Sequence, residues 1–188
     1  MTNTHVLGRR GFGLAAASAL STLGVAAARS QPAGAPASSG EGMGVSHGNA
    51  AIHQEVVFKA TPERVYEVLT DAALFDKVVQ ASGALQAMGI NPSPVQISAE
   101  PGGAFSMFGG YITGRHIEMS PGVRLVQVWR SRGWAPHIYS IVRFELSAHP
   151  DGTRLLFDHT GFPNDDAMGL ATGWHAHYWV PMAKVLAG

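Results

Sequence analysis

The chain contains no cysteine among its 188 residues. That excludes disulfides, thiolate metal ligation, thiol nucleophiles and a lipid-modified cysteine anchor, so stability must come from core packing. Charged residues are sparse, at 14%, and balanced, with 13 basic and 13 acidic side chains. Such a balance gives no support to a nucleic-acid or anionic-membrane partner. There is no run of roughly 20 apolar residues that would span a bilayer. Phosphate loops, nucleophile elbows and dinucleotide fingerprints are also missing, because Gly102-Gly103 and Gly109-Gly110 lack the strand-to-helix setting those motifs need. No internal repeat is present, and no cofactor is implied.

What the chain does contain begins with an address. Arg9-Arg10-Gly11-Phe12 precedes an Ala/Gly/Leu stretch from Gly13 to Val25, and Ala26-Ala27-Ala28 follows as a small-residue cleavage site. Residues 1–28 therefore read as a twin-arginine export signal cut near Ala28, giving a periplasmic or secreted product. Cleavage removes Arg9 and Arg10 and no acidic residue, which leaves the mature chain two charges on the acidic side. Residues 29–50, rich in Gly, Ala, Ser and Pro, cannot bury enough surface to offset their ordering entropy and read as a flexible linker. Residues 51–188 make one domain, and a hydrophobic fraction of 46% can fill its core.

Within that domain Ile52 to Lys59 reads as a strand feeding a helix at Thr61-Pro62-Glu63. Thr can cap, Pro suits the first helical position, and Glu faces the positive helix end. A second short helix restarts at Thr70-Asp71 and runs through Leu74, Phe75, Val78 and Val79, and the Gly and Pro content of Ser82 to Pro94 predicts a loop. From Val95 the pattern is a meander of six strands: Val95–Ala99, Ala104–Phe108, Tyr111–Met119, Arg124–Arg130, His137–Ala148 and Thr153–Thr160. A terminal helix from about Asp166 to Leu186 carries the stripe Leu170, Trp174, Tyr178, Met182 and Val185. At 1.5 Å per residue its stretch from Met168 to Leu186 is about 28 Å long, enough to cross six or seven strands. Pro181 predicts a kink between His177 and Pro181.

Alternation sets the faces. Leu155, Phe157 and His159 share one side of their strand, as do Val142, Phe144 and Leu146, and Leu125, Gln127 and Trp129. Gln127, Ser140 and His159 are thus polar groups on an otherwise apolar concave face. With Trp129, Phe157, Trp174 and Tyr178 they form the candidate ligand pocket. His159 could orient a ligand or move a proton, since its ordinary pKa is near neutral, or it could simply bond a neighbouring group in the core. Gln127 needs a protein, water or ligand partner, because a buried unpaired amide costs roughly 1 to 3 kcal/mol. His175 and His177 diverge by about 200° on a helix and so do not read as a metal pair. No catalytic residue and no metal site is assigned.

Several elements in order resemble the activator of Hsp90 ATPase homologue-like branch of the START/SRPBCC superfamily. They are Phe58-Lys59-Ala60-Thr61-Pro62-Glu63-Arg64-Val65-Tyr66, Glu100-Pro101-Gly102-Gly103-Ala104-Phe105, Thr113-Gly114, and Arg124-Leu125-Val126 leading to Trp129. Gly152-Thr153-Arg154-Leu155, His159-Thr160-Gly161-Phe162 and Gly173-Trp174 complete the set. The resemblance covers roughly residues 52–186. It implies an α+β helix-grip fold, in which a curved antiparallel sheet wraps a long C-terminal helix, two short helices follow the first strand, and a cavity opens between sheet and helix. Gly114 would let the sheet bend, and Gly173 would let the helix backbone approach the strands.

Three functions follow as expectations. The first is an exported domain holding a small hydrophobic molecule between sheet and terminal helix. The second is a protein-interaction, co-chaperone-like module of the Hsp90 ATPase activator type. The third is an enzyme using His159 with Gln127 and Ser140, although the residues do not form a complete catalytic constellation.

Overall fold

The computed structural model describes residues 44–46 and 50–188. The expected export signal and most of the expected linker lie outside the described residues. Among the described residues eight strands form one antiparallel sheet: β1 Gly44–Ser46, β2 Ala51–Phe58, β3 Gln96–Ile97, β4 Ala104–Met107, β5 Ile112–Ser120, β6 Arg124–Ser131, β7 Ser140–His149 and β8 Gly152–Thr160. Their order across the sheet is β1-β2-β8-β7-β6-β5-β4-β3. β1 falls inside the segment that composition reads as linker. It pairs with β2 through Gly44 with His53, Val45 with Ile52 and Ser46 with Ala51. Backbone pairing needs no large side chain, so composition gives no sign of it.

β2 leads into helix α1, Pro62–Thr70, where the Thr61 side chain accepts the Arg64 N–H at 3.3 Å. Helix α2, Ala72–Ser82, starts on Asp71, whose carboxylate accepts the Leu74 N–H at 2.8 Å, and stops at Gly83 with φ of 64°. The segment read as a loop contains a third helix, α3, Ala84–Ala87, so three helices follow β2 rather than two. Ala84 and Leu85 are both buried, and this local apolar pair outweighs the surrounding Gly and Pro. The first meander strand is also shorter than expected, since only Gln96–Ile97 pairs.

The concave face follows the alternation. One row across the sheet runs Ile52, His159, Val142, Gln127 and His116, each opposite the next, and every member is buried. The terminal helix covers this face as α4, Ala167–Trp174, then a π-helical turn, His175–Trp179, then α5, Val180–Leu186. α2 packs on the π turn and α5, and α1 packs on α5, so the helices close over one another above the sheet. The fold is the helix grip that the family resemblance implies.

The irregularity expected before Pro181 takes the form of the π turn. Proline has no N–H to donate and its ring crowds the carbonyl four residues back, here His177. In the π turn the Val180 N–H reaches the carbonyl of His175, five residues back. The hydrogen-bond register therefore changes within one continuous helical path.

Candidate functional site

A cavity of about 310 Å³ lies between the terminal helix and one end of the sheet. The terminal helix supplies Gly169, Leu170, Gly173, Trp174, His177 and Tyr178, and Asp166 stands just before its first residue. Across from it stand Trp129 and Ser131 of β6, Ile112 of β5, Phe108 and Tyr111 of the preceding turn, and Trp134 of the β6–β7 connection, with Ala84 and Met88 at the α3 end. Asp166, Gly169, Gly173 and His177 fall along one side of about three helical turns.

Two glycines shape the helical wall. A Cβ added at Gly169 or at Gly173 would meet nothing within 4 Å. Neither residue has a positive φ, so the backbone does not require glycine at either position. Their effect is to leave open volume where side chains would otherwise project. The expectation that Gly173 lets helix and strands approach closely is corrected by this open space. Gly114 is a close-approach site instead, since a Cβ there would lie 2.1 Å from the Val128 carbonyl oxygen and 2.2 Å from the Phe105 ring.

The sequence candidates divide into two groups. Trp129, Trp174 and Tyr178 line the cavity. Gln127, Ser140, Phe157 and His159 are buried behind that wall and do not line it. Inward-facing alternation identifies all seven as interior, but it cannot separate side chains at the cavity from those packed beneath it.

His159 is bonded at both ring nitrogens. The Trp174 indole N–H donates to its Nδ1 at 3.0 Å, and its Nε2 lies 2.7 Å from Ser140 Oγ. An indole N–H can only donate, so Nδ1 is the acceptor and Nε2 carries the proton that goes to Ser140. The Ser140 hydroxyl in turn donates to the Trp129 carbonyl at 3.2 Å. Burial pushes the His159 pKa down to about 3, which keeps the ring neutral and suits this relay. Trp129, Trp134, Phe157, Phe162 and Trp174 surround it, with ring centroids 4.8 to 6.4 Å away. This arrangement joins sheet to helix and leaves neither nitrogen free for an incoming molecule.

Gln127 also finds a protein partner, with its amide nitrogen 3.4 Å from His116 Nδ1. That is a long contact, and His116 Nε2 has no hydrogen-bond partner among the described residues. Burial lowers the His116 pKa. Sequence reasoning missed His116, and also Gln54 of β2, only 3% exposed. Its amide donates to the Ala171 carbonyl at 3.0 Å and its oxygen accepts the Trp179 indole N–H at 2.6 Å. The signal was available, because Ile52, Gln54, Val56 and Phe58 alternate toward the core.

At the cavity, Trp129 Nε1 has no hydrogen-bond geometry to any described partner, although it lies near the Tyr178 hydroxyl. Burial raises the Tyr178 pKa strongly, and the nearby indole N–H offsets a part of that rise. The phenol is therefore neutral, and its ring packs on Phe75, Phe108 and Trp174. Trp134 and Asp166 were missed as site residues. Trp134 lines the cavity from the β6–β7 connection and its indole N–H donates to Asp166 Oδ2. Nothing local in the sequence brings these two together, since 32 positions separate them.

Comparisons with known proteins agree with the fold. The family described as Activator of Hsp90 ATPase homolog 1-like protein matches residues 59–187. The mouse protein named activator of 90 kDa heat shock protein ATPase homolog 2 is 28% identical over 144 residues, which is 77% of this chain and 40% of the mouse protein. An activator homolog from Dictyostelium discoideum is 37% identical over 78 residues, covering 40% of this chain and 20% of its own length. This chain thus spans less than half of the length of either curated relative. Among solved structures, an HSP90 activator from Plasmodium falciparum superposes with a TM-score of 0.58 at 24% identity, covering 73% of this chain and 94% of that one. CalU16 from Micromonospora echinospora gives the same TM-score at 19% identity, covering 74% and 77%. At these identities the structural likenesses speak for the fold.

Proposed function

The chain belongs to the Activator of Hsp90 ATPase homolog 1-like family, and from that premise we propose that its domain binds a small, largely apolar molecule in the cavity between sheet and terminal helix. The observation that carries this reading is the pair Gly169 and Gly173. Glycine costs a helix about 1 kcal/mol relative to alanine, and neither position has a backbone or packing reason to bear that cost. Open volume lined by Trp129, Trp134, Trp174, Tyr178 and Phe108 is the return. The volume sits at the small end of the range for ligand sites, which suits a molecule of one or two rings or a short chain.

The test is binding of Nile red, a neutral apolar dye, with native mass spectrometry of the purified protein to identify any molecule it carries. Replacing Gly173 by Leu should abolish dye binding while the protein stays folded. Undiminished binding in that variant would remove the cavity as the site. Export belongs to the same proposal. Residues 1–28 fused to a reporter should carry it out of the cytosol, and replacing Arg9 and Arg10 by Lys should retain it inside.

A second reading has its own support in the relatives' names. The mouse protein is called an activator of a 90 kDa heat shock protein ATPase, and its similarity extends over 77% of this chain. On that reading the domain is a protein-interaction module whose partner is a chaperone ATPase. Stimulation of such an ATPase by the purified domain would favour it, and a flat response would leave the cavity reading alone. Export argues against this partner, because that chaperone is cytosolic.

A further inference from the structure

The cavity wall carries six Phe, Tyr and Trp side chains and one carboxylate. Among the lining residues there is neither lysine nor arginine, and Asp166 is the sole acidic side chain. Trp134 engages Oδ2 of Asp166, and among the described residues no cation pairs with this carboxylate. Trp134 also packs against Trp129, with centroids 5.4 Å apart at 60°, and Trp129 packs against Trp174 at 5.7 Å. The carboxylate is therefore held at the edge of a wall made of three indoles.

Indole faces carry negative electrostatic potential and attract cations, and a carboxylate beside them adds to that attraction. The indole faces and the carboxylate repel an anion, and the nearby Arg130 guanidinium is engaged by the Trp134 carbonyl, to which it donates at 2.7 Å. We propose that the molecule bound here carries an ammonium or substituted-ammonium group on an apolar body, with the cation between Asp166 and the indole wall and the body over Gly169 and Gly173. This inference rests on the cavity reading above and narrows it to hydrophobic amines. The free energy of such cation–π contacts rises as the site is desolvated, and a half-buried Asp166 beside buried Trp134 provides that setting.

Phenylbutylamine, phenylbutanol and phenylbutanoate share one body and differ only in the head group, so calorimetric titration with these three at neutral pH isolates the charge. The amine should bind roughly tenfold more tightly than the alcohol, the range expected for a desolvated cation–π contact, and the carboxylate more weakly than both. Added salt should reduce the preference for the amine. Asp166→Asn keeps an acceptor for the Trp134 N–H and removes the charge, so the preference for the amine over the alcohol should disappear. If that variant does not fold, the head-group ranking and its salt dependence in the native protein decide. Equal binding of amine and alcohol, tightest binding of the carboxylate, or an amine preference that survives Asp166→Asn would overturn the inference. Nile red binding separates the two levels. If the dye binds without an amine preference, only this inference falls. If neither dye nor any of the three probes binds, the cavity reading falls with it.

Discussion

Trp174 and Trp179 stack with ring centroids 5.6 Å apart and planes 21° from parallel. Five residues separate them, and on a regular α-helix their side chains would diverge by about 140°. The π turn brings both rings onto the side facing the sheet, where they flank Phe157 at 4.3 and 5.1 Å. One extra residue in the turn thus adds a second indole to the core.

Inserting one alanine after Ala176, an exposed residue of the π turn, should add about 100° of rotation that the turn does not absorb and carry Trp179 out of the core. Losing the burial of that ring and its bond to Gln54 should cost about 3 kcal/mol or more. Ala176→Gly should cost only about 1 kcal/mol. Urea denaturation of the two variants checks the difference. Similar midpoints would show that the turn does not position Trp179.

Stability should fall as the solution is acidified from neutral, well before carboxylates titrate. His159 has a folded-state pKa of about 3 against 6.5 for the free side chain. Between those values the unfolded chain holds a proton that the folded one does not, so each pH unit of acidification removes roughly 1.4 kcal/mol. His116, shifted in the same direction by burial, adds to the slope. Denaturation midpoints compared at neutral pH and at pH about 5 should show the loss, and His159→Gln should flatten it. A variant with the native slope would contradict the assignment.

Gly169→Ala and Gly173→Ala should each stabilise the protein by up to about 1 kcal/mol, because the added methyl meets open space and the helix gains propensity. For a domain of this size that is a rise of about 2 to 4 °C in Tm, measurable by calorimetry. Gly114→Ala should go the other way, since its methyl would overlap the Val128 carbonyl and the Phe105 ring. A drop in Tm at Gly169 or Gly173 would mean the glycines serve the backbone after all.

Replacing Gln54 by Leu should cost roughly 1 to 3 kcal/mol, because the Trp179 indole N–H loses its acceptor inside the core. Gln127→Leu should cost less, since it gives up one contact at 3.4 Å. Chemical denaturation of the two variants gives the ranking, and the reverse order would sink this account of the core.

Much of the sheet could be read from period-two alternation, which placed Leu125, Gln127, Trp129, Phe144, Phe157 and His159 inward, and all are buried. Capping chemistry located the start of α1 through Thr61 and Pro62. The site was legible only in part. Which inward side chains border open space depends on where the helix rests, and that depends on the π turn, a register change that Pro181 signals without specifying. Trp134 and Asp166 meet through folding of a turn-rich connection with no periodicity to read. β1 escaped for a different reason, because main-chain pairing by Gly44–Ser46 leaves no trace in side-chain pattern.

The imidazole of His159 works as a key cut for a single lock. Turning the ring over would offer carbon to both Trp174 and Ser140, and moving its proton would set two N–H groups against each other on the indole side. Only one orientation and one tautomer close the relay, and only when strand and helix meet in step. Assembly of this domain therefore carries its own proofreading: a helix docked one residue out of alignment would strand a polar atom at the centre of the aromatic core.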